Sequence, residues 1–153
     1  MSSCSTTTYY IVRHAEKRDN SVDPPLNANG TARALILADT LDDKNISSIF
    51  VSQRQRTQLT AAPTASFFHI VPTVISSDST TALVRRLKAI RGKNILVVWH
   101  SENVHNIVNE LVPAAFQVDP IGNTFDNLFI IRRKIVLWSN KTTLTRTKYG
   151  PPG

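Results

Sequence analysis

The chain has 153 residues, 41% of them hydrophobic and 19% charged, which is the profile of one globular domain. A single cysteine, Cys4, excludes an internal disulfide and a metal site built on cysteine pairs. The 18 Lys and Arg against 11 Asp and Glu give a net charge of +7, which favours an anionic partner without naming it.

In chain order, the polar opening "MSSCSTTT" reads as a disordered tail over residues 1–7, with one domain over residues 8–150. It lacks the apolar core of a signal peptide, so the expected location is cytoplasmic. The alternative rests on "SSC" and its polar tether, the pattern of a bacterial lipoprotein signal's end, which would anchor Cys4 in the cell envelope.

Residues 8–13, 47–52 and 94–99 are apolar runs rich in β-branched and aromatic residues, and they predict buried strands. A weaker strand, over residues 70–75, is interrupted by Pro72. Asn27 is a candidate N-cap for a helix reaching about Leu41. Leu83, Val84, Leu87 and Ile90 recur at helical spacing, as do Val104, Ile107, Val108 and Leu111. Beyond Pro113, "NLFIIRR", "KIVLWSN" and "TTLTRTKY" read as three consecutive strands. The pattern predicts an α/β three-layer sandwich with a mostly parallel central sheet and an antiparallel edge.

In such sheets ligands bind beyond the carboxyl ends of the strands. Arg13 and His14 end the first strand, Ser52 with Arg54 and Arg56 follows the second, and His100 with Ser101 follows "NILVVW". Three strands thus bring cations and imidazoles to one edge, where packing alone does not require them.

These residues carry a resemblance. "VRHAEK" resembles the signature of the histidine phosphatase superfamily, whose fold is phosphoglycerate mutase-like. "PPLNANGTARA", "SQRQRTQLTAAPTA" and "ILVVWHSENV" resemble three further motifs of that family in the same order, with Asn27 where Thr is usual and Trp99 where glycine is commoner. "FDNLFII" resembles the tail of its short bacterial members, among them the phosphohistidine phosphatases. The resemblance runs from about Thr7 to Tyr149.

The resemblance implies a nucleophilic His14 that carries the phosphoryl group, a phosphate clamp of Arg13 and Arg56, and a donating His100. It implies no cofactor and no metal. Its chemistry is coherent: an imidazole must be neutral to attack phosphorus, and nearby guanidinium groups favour that state while matching two phosphate oxygens each. The proton donor to the leaving group is less defined. Glu16 and Asp78 rank first, followed by Glu102 and Asp126. Arg54 and Lys17 flank the site, Ser101 is expected to cap the helix after His100, and His69 and His105 read as structural or surface residues.

Only 44 positions separate Arg56 from His100, too few for a lid once a strand and a helix are placed. A shallow site suits a phosphorylated side chain or a small phosphate. The expectation is therefore a metal-independent phosphatase of phosphomonoesters or protein phosphohistidine. A phosphate-binding pseudoenzyme and a phosphoglycerate-type mutase are the alternatives. The expected partner is a phosphorylated small molecule or phosphoprotein, not nucleic acid, with a membrane only if Cys4 is lipidated.

Overall fold

The computed structural model describes residues 4–153. Six strands form one sheet in the order β3-β2-β4-β1-β5-β6. β1 (Ser5–Arg13), β2 (Ser48–Val51), β3 (Thr73–Val74) and β4 (Asn94–Trp99) run parallel, while β5 (Asn127–Val136) and β6 (Ser139–Lys148) form an antiparallel edge. Four helices complete the three layers: α1 (Ala28–Leu41), α2 (Gln55–Phe68), α3 (Thr80–Ala89) and α4 (Ser101–Leu111).

Alternation along β1 separates the two cores. Tyr9 and Ile11 pack with Leu83, Leu87, Val104 and Ile107 of α3 and α4, whereas Tyr10 and Val12 pack with Leu37, Leu41 and Ala61 of α1 and α2. β4 is buried on both faces, as its continuous run of apolar residues requires. Among the described residues, no helix is long and apolar enough to cross a membrane.

Three boundaries differ from the sequence reading. The tail expected over residues 1–7 is sheet from Ser5 onward: Thr7 is fully buried and accepts the Gly92 amide, while residues 1–3 lie outside the described residues. The weak strand over 70–75 shrinks to Thr73–Val74, because Pro72 has no amide to give the ladder. The second of the three C-terminal strands is divided: residues 134–136 continue β5 straight on from Arg132 and Arg133, Leu137 and Trp138 make the turn, and Ser139 and Asn140 begin β6. Arg132 and Lys134 lie exposed on one face of that end of β5, while Arg133 on the other donates to the Lys88 and Ile90 carbonyls at the end of α3.

α1 begins as expected, with the Asn27 side chain accepting the Gly30 amide at 2.8 Å. Gly30 itself is needed for close approach: any Cβ there would collide with the Glu16 carbonyl. This contact seats α1 against the loop that leaves the functional edge.

Candidate active site

Register builds the site. β1 and β4 pair with Arg13 opposite Trp99, so the next residues along, His14 and His100, emerge side by side at the carboxyl ends. Their ring centroids are 5.6 Å apart, and the His14 amide donates to the Trp99 carbonyl at 2.8 Å. β2 delivers Ser52 to the same place, its Oγ 2.9 Å from His100 Nε2.

His14 is 4% exposed, and its Nδ1 lies 2.8 Å from the Ala15 carbonyl. A carbonyl can only accept, so Nδ1 carries the proton and Nε2 keeps its lone pair. Burial, with the charges of Arg13 and Arg56 and the second imidazole adding to it, lowers the His14 pKa to about 3, against the Ala15 hydrogen bond. The ring is therefore neutral at pH 7 and presents a nucleophilic nitrogen.

His100 is 3% exposed, and burial, with Arg56, lowers its pKa to about 4. Its tautomer follows from the hydroxyl network. Thr57 Oγ1 accepts the Ser52 amide and has main-chain carbonyls of Ser52 and Arg54 within donating distance, and Ser52 Oγ accepts the Arg54 amide. Ser52 Oγ also lies 3.0 Å from Thr57 Oγ1, where either hydroxyl can donate, and we assign the Ser52 proton to His100 Nε2. That leaves Nδ1–H as the His100 donor, and this atom is buried without a protein partner.

Two further donors share that condition: Arg13 Nε and Arg56 Nε are buried and unpartnered. Arg13 is 7% exposed, makes long contacts from Nη1 to the Gly122 and Thr124 carbonyls at 3.4 and 3.3 Å, and stacks 4.0 Å from the Phe125 ring centroid. Phe125 also meets His14 edge-on at 6.2 Å. Arg56 stands on the first turn of α2, and its strand-side neighbour Thr60 ties the helix to the nucleophile loop. Thr60 Oγ1 accepts the Ala15 amide at 2.8 Å and donates to the Arg56 carbonyl at 2.6 Å. Buried, unsatisfied N–H groups are costly, and three of them around one neutral imidazole define an oxyanion site.

The carboxylates rearrange the expected order. Glu16 is committed elsewhere: Arg33, itself 3% exposed, donates to both of its oxygens at 2.8–3.0 Å and also to the Tyr149 and Pro151 carbonyls. It fastens the C-terminal segment and is unsuited to proton transfer. Asp126 is likewise held, by Lys148 at 2.9 Å. Asp78 is exposed in the turn after β3, whose Ser77 bonds to Gln53, and it has no described hydrogen bond or ion pair with the four site residues.

Glu102, ranked behind Glu16 and Asp78, is the carboxylate whose charge acts on Arg13, Arg56, His14 and His100 together. Partial burial opposes its ionisation, but its own amide and the Ser101 hydroxyl outweigh this and hold its pKa below the usual carboxylate value. Ser101 thereby changes role. The N-cap of α4 is His100, and Ser101 orients Glu102 instead of capping the helix. Arg54 contributes charge beside Arg56 and His100, while Lys17 lies in an isolated bridge with Leu26. His69 is exposed at the end of α2, and His105 is half-buried on α4. Sequence reasoning did not single out Phe125, Arg33 or the hydroxyl of Thr60. The order Ser-x-x-x-Arg-x-x-x-Thr was the one available signal, and it served only to align the motif.

Comparison places this geometry among known proteins. Residues 9–78 match the model of the histidine phosphatase superfamily (branch 1). No curated protein matches by sequence. Among solved structures, the protein histidine phosphatase SixA complexed with tungstate is similar, with a TM-score of 0.72, 18% identity, and coverage of 92% of this chain and 96% of that one. A mycobacterial glucosyl-3-phosphoglycerate phosphatase complexed with VO3 has a TM-score of 0.71 and 14% identity, covering 94% of this chain and 99% of that one. A protein described as mycobacterial hydrolase 1 has a TM-score of 0.71 and 15% identity, over 92% and 97% of the two chains. At these identities the likeness is one of fold: a mixed six-stranded sheet flanked by helices, as in phosphoglycerate mutase-like structures.

Proposed function

We propose that this chain, a member of the histidine phosphatase superfamily by its residue 9–78 match and its fold, is a metal-independent phosphatase working through phospho-His14. The observation that carries the reading is the set of buried, unpartnered donors, Arg13 Nε, Arg56 Nε and His100 Nδ1, around an imidazole kept neutral. Two of the similar structures hold tungstate and VO3, oxyanions of phosphate-like shape, which accords with this reading.

In the first step His14 Nε2 forms a bond to phosphorus while the bond to the leaving group breaks, and the leaving atom takes the electron pair. Arg13, Arg56 and His100 Nδ1–H stabilise the equatorial oxygens. In the second step water attacks phosphorus, the P–Nε2 bond breaks, and its electron pair returns to the imidazole. The water proton needs a base, and Glu102, held ionised and within the charge field of both imidazoles, is our candidate to accept it.

An ionised Glu102 is a poor acid for an alkoxide. The imidazole of a phosphohistidine can take its proton from water before P–N cleavage, and an activated aryl oxide needs little assistance. The site therefore suits phosphoramidates and activated phosphates. The positions between Arg56 and His100 are all spent on α2, β3, α3, β4 and their short connections, so that interval builds no lid, in keeping with a phosphorylated side chain as substrate. A panel of alkyl phosphate, aryl phosphate and phosphohistidine peptide, run with and without chelator, tests this. The expected order is phosphohistidine and aryl phosphate well above alkyl phosphate, with chelator indifferent. Loss of turnover on chelation, or a preference for alkyl phosphates, contradicts it.

A further inference from the structure

The opposite end of the sheet breaks three local rules at once. β5 and β6 join through Leu137 and Trp138, with Val136 paired to Ser139. Two-residue hairpin turns favour Asn or Gly because the backbone takes positive φ, yet Leu137 sits at φ 51°. Both turn side chains also lie in water: Trp138 is 99% exposed and Leu137 is 70% exposed. Two residues behind the turn, Lys134 and Lys141 face each other directly across the strands, a like-charge pair that destabilises a sheet. Arg132 adjoins them on the same face by the two-residue alternation, and none of the three takes part in a described ion pair. Residues 127–153 carry six cations and no Asp or Glu. When several local preferences are violated together, binding is the usual compensation.

We propose that this hairpin tip docks the protein on an anionic lipid surface, with Val136, Leu137 and Trp138 entering the interface and Arg132, Lys134 and Lys141 meeting the headgroups. The spacing fits. At ~3.3 Å per residue Lys134 and Lys141 sit roughly 10 Å behind the turn, the depth of the headgroup region, and Arg132 roughly 17 Å behind it, at the outer edge. Trp at the leading edge suits an interface, where an apolar ring with a polar N–H is favoured. A nucleic acid would need successive aromatic surfaces, whereas the companions of Trp138 are aliphatic. β1 runs from Ser5, paired with Ile135 near the tip, to Arg13 at the functional edge, roughly 25 Å away. Docking there leaves His14 facing the aqueous phase. The tip requires no lipid on Cys4, although the N-terminal end of β1 enters the sheet on this side.

Sedimentation of the full chain with phosphatidylglycerol-containing and with pure phosphatidylcholine vesicles tests this, with Trp138 emission read in parallel. Trp99 is fully buried, so a blue shift on binding reports the tip. The anionic vesicles should bind, and Leu137→Ser with Trp138→Ser should abolish binding while turnover of a soluble aryl phosphate is unchanged. Each of Lys134→Gln and Lys141→Gln should lower partitioning roughly fivefold. Leu137→Gly should raise the midpoint of thermal unfolding yet weaken binding, which a purely structural role for Leu137 would not produce. The proposal is overturned if wild type ignores anionic vesicles, if the double serine variant binds equally, or if the tip instead drives self-association or oligonucleotide retardation without vesicle binding.

Discussion

His14 and His100 stand 5.6 Å apart because β1 and β4 pair in parallel with Arg13 opposite Trp99. Each ring has one nitrogen committed to the protein, Nδ1 of His14 to the Ala15 carbonyl and Nε2 of His100 to Ser52. With the Ser52 proton on His100 Nε2, the uncommitted pair is one lone pair and one N–H, the combination that the proposed phosphoryl transfer requires.

The clamp should act mainly on the transition state. Arg13→Ala or Arg56→Ala should lower kcat by roughly 10²–10³, the scale of losing one well-placed donor. Lysine at either position should restore only part, since it keeps the charge and loses the fork. Steady-state kinetics on an aryl phosphate checks this. An effect confined to KM would mean uniform binding without catalytic discrimination.

Glu102→Gln should slow the second step more than the first. Single-turnover experiments should show an intact burst of leaving group followed by accumulated phosphoenzyme, with steady-state turnover down by roughly 10²–10⁴. Unchanged turnover on all substrates would remove Glu102 from the chemistry.

Arg33→Ala should cost about 3 kcal/mol, because it leaves the half-buried Glu16 carboxylate without its partner and releases the Tyr149 and Pro151 carbonyls. Glu16→Gln should cost less. Chemical denaturation measures both. Neither change should alter the ratio of alkyl to aryl phosphate turnover, which a catalytic Glu16 would shift.

Stability should fall as the solution is acidified below the ordinary histidine pKa of 6.5. His14 and His100 are held neutral when folded, with pKa values of about 3 and about 4, so between those values and 6.5 the unfolded chain binds the extra protons. Each should contribute about 1–2 kcal/mol of lost stability between pH 6.5 and 5. Urea denaturation across that window should be steeper in pH for wild type than for His14→Gln with His100→Gln. Equal slopes would mean that the rings titrate normally in the folded state.

The sequence made legible the parallel sheet and the gathering of Arg13, His14, Arg56 and His100 at one edge, because each is a local pattern: an apolar run, then Arg-His, or Ser-x-x-x-Arg. The carboxylates were not legible. Glu16 is two residues from His14 in sequence, but its partner Arg33 is buried only once α1 packs beneath the loop, and the contact appears with the fold. Asp126 meets Lys148 only through the β5–β6 pairing. Glu102 ranked behind Glu16 and Asp78, yet α4 begins at Ser101 with His100 as its N-cap, so its first turn brings the Glu102 charge to bear on both imidazoles. The strand boundary read between Arg133 and Lys134 is absent: the run stays in β5, with Arg132 and Lys134 exposed and Arg133 held by the Lys88 and Ile90 carbonyls, contacts that appear only with the fold.

Rapid alkaline quenching of the enzyme with an aryl phosphate labelled in its phosphoryl group tests the central claim most directly. The account predicts an acid-labile, base-stable phosphoenzyme in wild type whose label maps to His14, and no label or turnover in His14→Ala. Label persisting in His14→Ala, or turnover at the wild-type rate without it, would contradict the account.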